Sequence, residues 1–281
     1  MRQVLAVLAA ALLAAPAAAL QGAGVKLEAK LPGVGHSCEI RFESALDLDI
    51  VSKELGGTET LRNSSRVRTE RFNQSVTEAP DAKTRTFKVV CAASTLQRSG
   101  TNVPVSTDKT ALDGHTFWVT RGTGAGVKDE TGSAATGEAA ALGAWEDYGK
   151  LLPRTEVKTG DSWAVEELSA LFSVGNLKDP QNSVKGKLDS VVGDIATLTY
   201  SGSVSGTTDE GYALTLTIGE CRVIFDKAKG RPASFDFKGT LEASKKVMQG
   251  YIPPGGHKPR EEVVGEARIT SKKFTVMATY R

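Results

Sequence analysis

Apolar residues that recur at every second position constrain the fold of this chain more than any other feature of its sequence. Val25, Leu27 and Ala29 alternate with charged residues, and the same alternation returns over residues 87–93 and 196–200. A period of two places successive side chains on opposite faces of a strand. Glycine- and proline-containing turns separate the runs. We therefore predict a mainly β fold, with a large curved antiparallel sheet or half-barrel wrapped around a short helical insert.

A change of phase in the C-terminal half predicts where the sheet bends. Alternate residues over 214–218 share one strand face, but after Gly219 the apolar set moves to positions 221–225 with the opposite parity. One extra residue at a glycine is typical of a β-bulge, which bends its strand. The sequence therefore predicts a bulge at Gly219 and a curved sheet.

The helical insert is predicted at about residues 133–175. Its aromatic and leucine side chains recur at helical spacing, and Pro153 ends the helix because proline lacks an amide hydrogen. The residues at this spacing are Leu142, Trp145, Tyr148 and Leu152. We expect Trp145 and Tyr148 to be buried against the sheet.

A turn at Gly160 and Asp161 follows the first helix. Asp161 or Ser162 can cap a second short helix, since both side chains accept hydrogen bonds from exposed amides. Trp163 comes directly after the turn, and we interpret it as a core anchor buried against the sheet.

The first 19 residues have the pattern of a secretory signal peptide. Arg2 precedes an apolar run over residues 4–15, and alanines 17–19 supply a cleavage site. The run is too short to span a membrane, and no later run is long enough to do so. We expect export to the periplasm or the exterior, no transmembrane segment after cleavage, and one β-rich domain over residues 24–281.

The three cysteines are Cys38, Cys91 and Cys221, and each shares its predicted strand face with apolar neighbours. Two interpretations remain open: buried small side chains, or a disulfide that leaves one free thiol. The preferred bridge is Cys38–Cys91, because both residues lie in the N-terminal half. The cysteine spacings and the isolated histidines predict no metal site.

Charge and motif analysis argues against nucleic acid, cofactors and catalysis. The chain has 35 Lys and Arg against 33 Asp and Glu, a formal net charge of +2, which gives no case for a nucleic-acid partner. No Gly-x-Ser-x-Gly turn or Cys–His motif is present. The glycines at 122–126 lack the Gly-Lys-Ser/Thr sequence of a phosphate loop. We therefore expect no cofactor and no enzymatic activity.

One segment carries a resemblance. Leu152-Pro153, Val157-Lys158 and Gly160-Asp161-Ser162-Trp163 together resemble a motif of exported bacterial proteins of unknown function, and the likeness covers about residues 140–240. The layout is also loosely similar to periplasmic lipoprotein carriers, whose curved antiparallel sheet encloses a hydrophobic ligand. Fold does not fix function, so this resemblance implies only an architecture.

Two functions therefore remain open. One is an exported binding module for an apolar small molecule or lipid, with Leu142, Trp145, Tyr148 and Trp163 as ligand-binding residues. The other is a structural or protein-interaction domain of the cell envelope, whose partner is another envelope protein and whose core is filled. A continuous apolar cavity of about 300 Å³ or more beneath Leu142, Trp145 and Tyr148 would favour the binding module.

Overall fold

The computed structural model describes residues 24–54, 57, 59–140, 142, 148–165, 177–251 and 260–281. Within these residues it confirms the predicted fold class, because the chain is mainly β and forms one large open antiparallel sheet. The predicted signal peptide and Trp145 lie outside the described residues. No helix in the described ranges is long and apolar enough to cross a bilayer.

The described part of the chain contains thirteen strands and two short helical turns. The strands are β1 (Ser37–Glu54), β2 (Glu59–Glu78), β3 (Arg85–Gly100), β4 (Val103–Lys109), β5 (Thr116–Arg121), β6 (Gly126–Lys128), β7 (Ser162–Ala164), β8 (Lys178–Asn182), β9 (Lys185–Val192), β10 (Ile195–Thr207), β11 (Ala213–Asp226), β12 (Arg231–Tyr251) and β13 (Arg260–Tyr280). The helical turns are α1 (Gly137–Ala140) and a 3₁₀ helix (Tyr148–Leu151).

The first and last long strands pair at the middle of the sheet. The strand order is β6-β5-β3-β2-β1-β13-β12-β11-β10-β9-β7, while β4 pairs with β3 and β8 pairs with β10. The β1–β13 register runs from Ile40 opposite Tyr280 to Glu54 opposite Gly265. Hydrogen bonds between these two strands therefore join the N-terminal and C-terminal halves of the chain.

Two groups of buried apolar side chains pack on the sheet. The N-terminal core cluster consists of Cys38, Ile40, Phe72, Val76, Phe87, Val89, Cys91, Leu112, Phe117, Val119, Val127 and Leu142. The C-terminal core cluster consists of Leu27, Leu151, Leu152, Val157, Val165, Val184, Leu188, Ala196, Leu198, Tyr200, Val204, Leu216, Ile218, Cys221, Val223, Phe225, Phe235, Phe237, Val276 and Ala278. Tyr280 packs against both clusters, so they meet at the end of β13.

The predicted bulge at Gly219 is confirmed. The β11–β12 register shifts between Ile218 and Glu220, so Gly219 is the extra residue. A second shift on β10, between Tyr200 and Gly202, faces β11. Such bulges bend a strand and increase its twist.

The N-terminal segment (residues 24–36) is extended but forms no strand of the sheet, contrary to the strand predicted from Val25 to Lys30. Val25 makes an isolated antiparallel bridge with Val157, and Leu27 is buried in the C-terminal core cluster. The Lys30 amide donates to the Gly230 carbonyl at 2.9 Å. Val25 and Leu27 are more buried than Lys26 and Glu28, as the alternation predicts, whereas Ala29 is exposed. The burial of this segment comes from packing across the end of the sheet.

The insert differs from its prediction after the turn at Gly160. Ser162–Ala164 is strand β7, paired with β9, and not the start of a second helix. The Asp161 carboxylate accepts the Lys158 amide at 2.8 Å, which closes the turn that precedes the strand. An open sheet edge at β9 supplies hydrogen-bond partners that local sequence cannot reveal. Residues 166–176 lie outside the described part.

Candidate functional site

A cleft of about 780 Å³ lies at the end of the sheet where the two core clusters meet. Six strands that are neighbours in the sheet each contribute to its lining. In sheet order, the contributing residues are Arg121 of β5, Phe87 of β3, Gln74 of β2, Cys38 of β1, Tyr280 of β13 and Arg231 of β12. The cleft also reaches the surface at the loops, where its lining includes the exposed residues Ala82, Lys83 and Ala125.

The N-terminal segment lines the same cleft through residues 29–32. Hydrogen bonds fix it at both ends: Lys30 donates to the turn before β12, and Arg85 Nε donates to the Pro32 carbonyl at 2.8 Å. A Cβ on Gly230, whose φ is +64°, would lie 2.5 Å from the Lys30 amide nitrogen. Glycine is therefore required for the segment to lie this close to the turn.

Two arginines lie directly opposite each other at one side of the cleft. Arg85 of β3 and Arg121 of β5 are cross-strand partners. The Arg121 guanidinium lies over the Phe87 ring, with Cζ 4.5 Å from the ring centroid. Such a cation–π contact orients the guanidinium and stabilises it by about 0.5–2 kcal/mol. Like charges directly opposite on a sheet repel.

Positive charge dominates the described lining of the cleft. Five cationic residues line it: Lys30, Lys83, Arg85, Arg121 and Arg231. No Asp or Glu is among the described residues that line it. The chain as a whole has nearly balanced charge, so the described lining of the cleft is a region where cations are concentrated and carboxylates are absent.

Two carboxylates close to the cleft are occupied by hydrogen bonds in turns. Asp81 accepts the amides of Lys83 and Thr84, each at 2.7 Å. The hydrogen bond from the Lys83 amide is the main cause of a lowered pKa at Asp81. Asp226 accepts the Lys229 amide, and this bond likewise lowers the pKa of Asp226. Both groups therefore stay ionised and fix the turns that carry the cations.

His36 lies beside the positive charge. Its Nε2 atom is buried and has no hydrogen-bond partner in the described part of the chain. Burial, followed by the charges of Arg231 and Lys229, lowers the pKa of His36 below its ordinary value. The imidazole is therefore neutral at pH 7.

The cysteines are buried free thiols, and the predicted Cys38–Cys91 bridge is not formed. Cys38 lies on β1 and Cys91 on β3, with β2 between them. Strands spaced by about 4.8 Å put the two Cα atoms about 10 Å apart. A disulfide needs about 7 Å or less. Burial raises the pKa of Cys91 to about 11 and raises that of Cys221 further, so neither thiol is a ready nucleophile.

Two of the four predicted ligand-binding residues, Leu142 and Trp163, have described side chains, and neither lines the cleft. Leu142 is buried in the N-terminal core cluster, whereas half-buried Trp163 packs against the C-terminal core cluster. The Trp163 indole donates to the Leu151 carbonyl at 2.7 Å and meets the Tyr200 ring edge-on at 6.2 Å. This is the geometry of a core anchor. Tyr148 starts the 3₁₀ helix, and Trp145 is not among the described residues.

Sequence analysis missed the residues that do line the cleft. They are single cations at strand ends and turns, far apart in sequence, so no periodicity connects them. The one available signal is the placement of Arg85 and Arg121 at the ends of apolar strand patterns.

A second buried polar group lies in the N-terminal half. Glu70 is 2% exposed, accepts the Ser94 hydroxyl at 3.0 Å and pairs with Arg68 at 2.6 Å. Burial raises the pKa of Glu70, and the Arg68 charge opposes that effect. Arg68 therefore compensates a buried carboxylate, which is a structural role.

Comparison with known proteins identifies no family. No protein-family model matches the chain, and no curated protein matches it. Among solved structures, the crystal structure of a DUF1329 family protein from Desulfovibrio piger aligns with a TM-score of 0.13 and 12% identity. The alignment covers 85% of this chain and 83% of that chain. A TM-score this low carries no argument about fold or function.

Proposed function

We propose that this protein is an exported binding module that holds an apolar or amphiphilic small molecule, such as a lipid, in the cleft at the end of the sheet. The observation that supports the proposal is the cleft itself. At about 780 Å³ it exceeds the roughly 300 Å³ typical of the smallest ligand pockets. Its lining combines apolar side chains, among them Leu31 and Tyr280, with five cationic side chains.

The position of the cleft also supports binding. The cleft lies where the two core clusters meet, because Tyr280 packs against both of them and also lines the cleft. A purely structural domain would gain stability by filling such a volume with side chains, because voids cost packing free energy. The carrier-like architecture inferred from the sequence is consistent with this proposal.

Filling the cleft tests the proposal. Ala29 lines the cleft and is exposed, so Ala29→Trp should occupy part of the volume without disturbing a packed core. The neutral fluorescent probe N-phenylnaphthylamine should bind the unmodified chain. Its affinity should fall by about tenfold in the variant, since one indole displaces the apolar part of the ligand. Val105→Trp is the matched control, because Val105 is 68% exposed on β4 and does not line the cleft.

Native mass spectrometry of the purified chain supplies an independent measurement. A co-purified small molecule that is lost in Ala29→Trp and retained in Val105→Trp would support the binding module. Absence of any bound molecule, together with no probe binding by the unmodified chain, would contradict it. The structural or protein-interaction domain would then be the better account.

A further inference from the structure

We propose that the ligand of this cleft carries an anionic head group, a carboxylate or a phosphate, which the cationic residues bind while its apolar part lies against Leu31 and Tyr280. The inference rests on the proposed function, because it specifies the chemistry of the ligand in the same cleft. It concerns a single ligand class, the anionic amphiphiles.

The arrangement of charge is the first argument. Arg85 and Arg121 lie directly opposite each other on the neighbouring strands β3 and β5, and cross-strand pairs of like charge destabilise a sheet. Lys83 and Arg231 make no ion pair in the described part of the chain, and no carboxylate is among the described lining residues. An anion in the cleft would gain favourable charge interactions with these cations, whereas a neutral ligand would not.

The orientation of the arginines is the second argument. Arg85 donates from Nε to Pro32 and from Nη1 to the carbonyls of Asp81 and Thr84, at 2.8, 2.6 and 2.7 Å. These bonds fix the plane of the guanidinium, and Nη2 makes no hydrogen bond in the described ranges. The cation–π contact with the Phe87 ring likewise orients the Arg121 guanidinium. The Nη2 group of Arg85 can donate charge-assisted hydrogen bonds to a carboxylate or phosphate oxygen.

The apolar residues beside these cations are the third argument. Phe87 lies directly beneath the Arg121 guanidinium, and Tyr280 lines the cleft from the centre of the sheet. Leu31 of the N-terminal segment is 42% exposed and lines the same cleft. A ligand with one charged end and one apolar end would satisfy both parts of the lining at once.

Ligands that share a chain length and differ in head group test the inference. Isothermal titration of the full chain with dodecanoate, dodecyl phosphate, dodecanol and dodecyltrimethylammonium, each below its micelle concentration, compares the head groups directly. We expect at least one of the two anionic ligands to bind at least about tenfold more tightly than dodecanol, and the cation to bind most weakly. The anion preference should weaken as salt increases. Comparing dodecanoate with dodecyl phosphate shows which anion is preferred.

A matched pair of double variants assigns the preference to the cleft. Lys83→Gln with Arg231→Gln removes two lining charges, and neither side chain makes an ion pair within the described ranges. Lys88→Gln with Arg222→Gln removes two exposed charges from β3 and β11 that do not line the cleft, so both variants have the same net charge. We expect the anion preference to fall by about tenfold in the first variant and to persist in the second.

The outcomes separate this inference from the proposed function. Equal binding of dodecanol and both anions would overturn the head-group inference and leave the binding module intact. Equal loss of anion preference in both double variants would also overturn it, because the effect would then follow net charge alone. If none of the four ligands binds, both the inference and the proposed function fail.

Discussion

At the scale of single residues, burial and neighbouring cations near the cleft both disfavour any additional positive charge. His36 is the clearest case, since its Nε2 atom is buried beside positive charge from Arg231 and Lys229. Protonation would place a third positive charge there, and Nε2 has no hydrogen-bond acceptor among the described residues. The native state therefore disfavours the imidazolium form.

This lowered pKa predicts how stability depends on pH. The unfolded chain protonates His36 near its ordinary pKa of 6.5, whereas the native state takes up that proton only at lower pH. Between these two values the unfolded state binds more protons, so the free energy of unfolding falls as pH drops below about 6.5. Urea unfolding from pH 8 to 5 should show this loss in the unmodified chain and a smaller loss in His36→Gln.

His115→Gln is the control for this measurement, because the His115 side chain is 59% exposed. That variant should keep the pH dependence of the unmodified chain. An identical pH profile for His36→Gln would show that the burial of His36 has no effect on stability.

At the scale of elements, the edge of the sheet decides what the segment after Gly160 becomes. The side chains of Asp161 and Ser162 have the chemistry to cap a helix, yet Ser162–Ala164 pairs with β9 as a strand. The Trp163 indole then lies against the backbone of Gly186, since a Cβ there would be 2.5 Å from the indole Cε2 atom. The glycine on one strand and the tryptophan on its neighbour therefore form one packing unit.

A single methyl group should disrupt this unit. Gly186→Ala forces the Trp163 indole to shift and strains its hydrogen bond to Leu151, so we expect a destabilisation of about 1–3 kcal/mol. Urea unfolding measures the loss. Gly126→Ala in strand β6 is the matched control, because a Cβ at Gly126 meets no atom within 4 Å. Equal stability of the two variants would show that the indole is not held against β9.

At the scale of the whole molecule, the β1–β13 pairing makes the sheet continuous from one half of the chain to the other. Its ladder runs from Ile40 to Glu54 with one shift after Asp47. Since these strands come from opposite ends of the chain, the ladder forms only when both halves are folded. We therefore expect the two halves to unfold as a single cooperative unit, in agreement with the single domain predicted from the sequence.

Hydrogen exchange at increasing urea concentration tests this cooperativity first in the unmodified chain. Amides of β3 and of β10 should lose protection at the same urea concentration. Phe237→Ala, in the C-terminal core cluster, should cost about 3–5 kcal/mol and lower both midpoints together. A shift confined to β10 would show two independently folding units.

The sequence by itself determined the class of fold, the bulge at Gly219 and the placement of the three cysteines on apolar strand faces, and it favoured the anchoring role of Trp163. These properties follow from side-chain parity and local turn chemistry, which operate over a few residues. Strand pairing between β1 and β13, the strand at Ser162–Ala164 and the cleft were decided only by tertiary structure. Arg85 and Arg231 are far apart in sequence, and only the order of strands in the sheet brings them to one cleft. Local periodicity cannot predict that strand order, because it indicates which face of a strand a residue occupies and not which strand lies beside it.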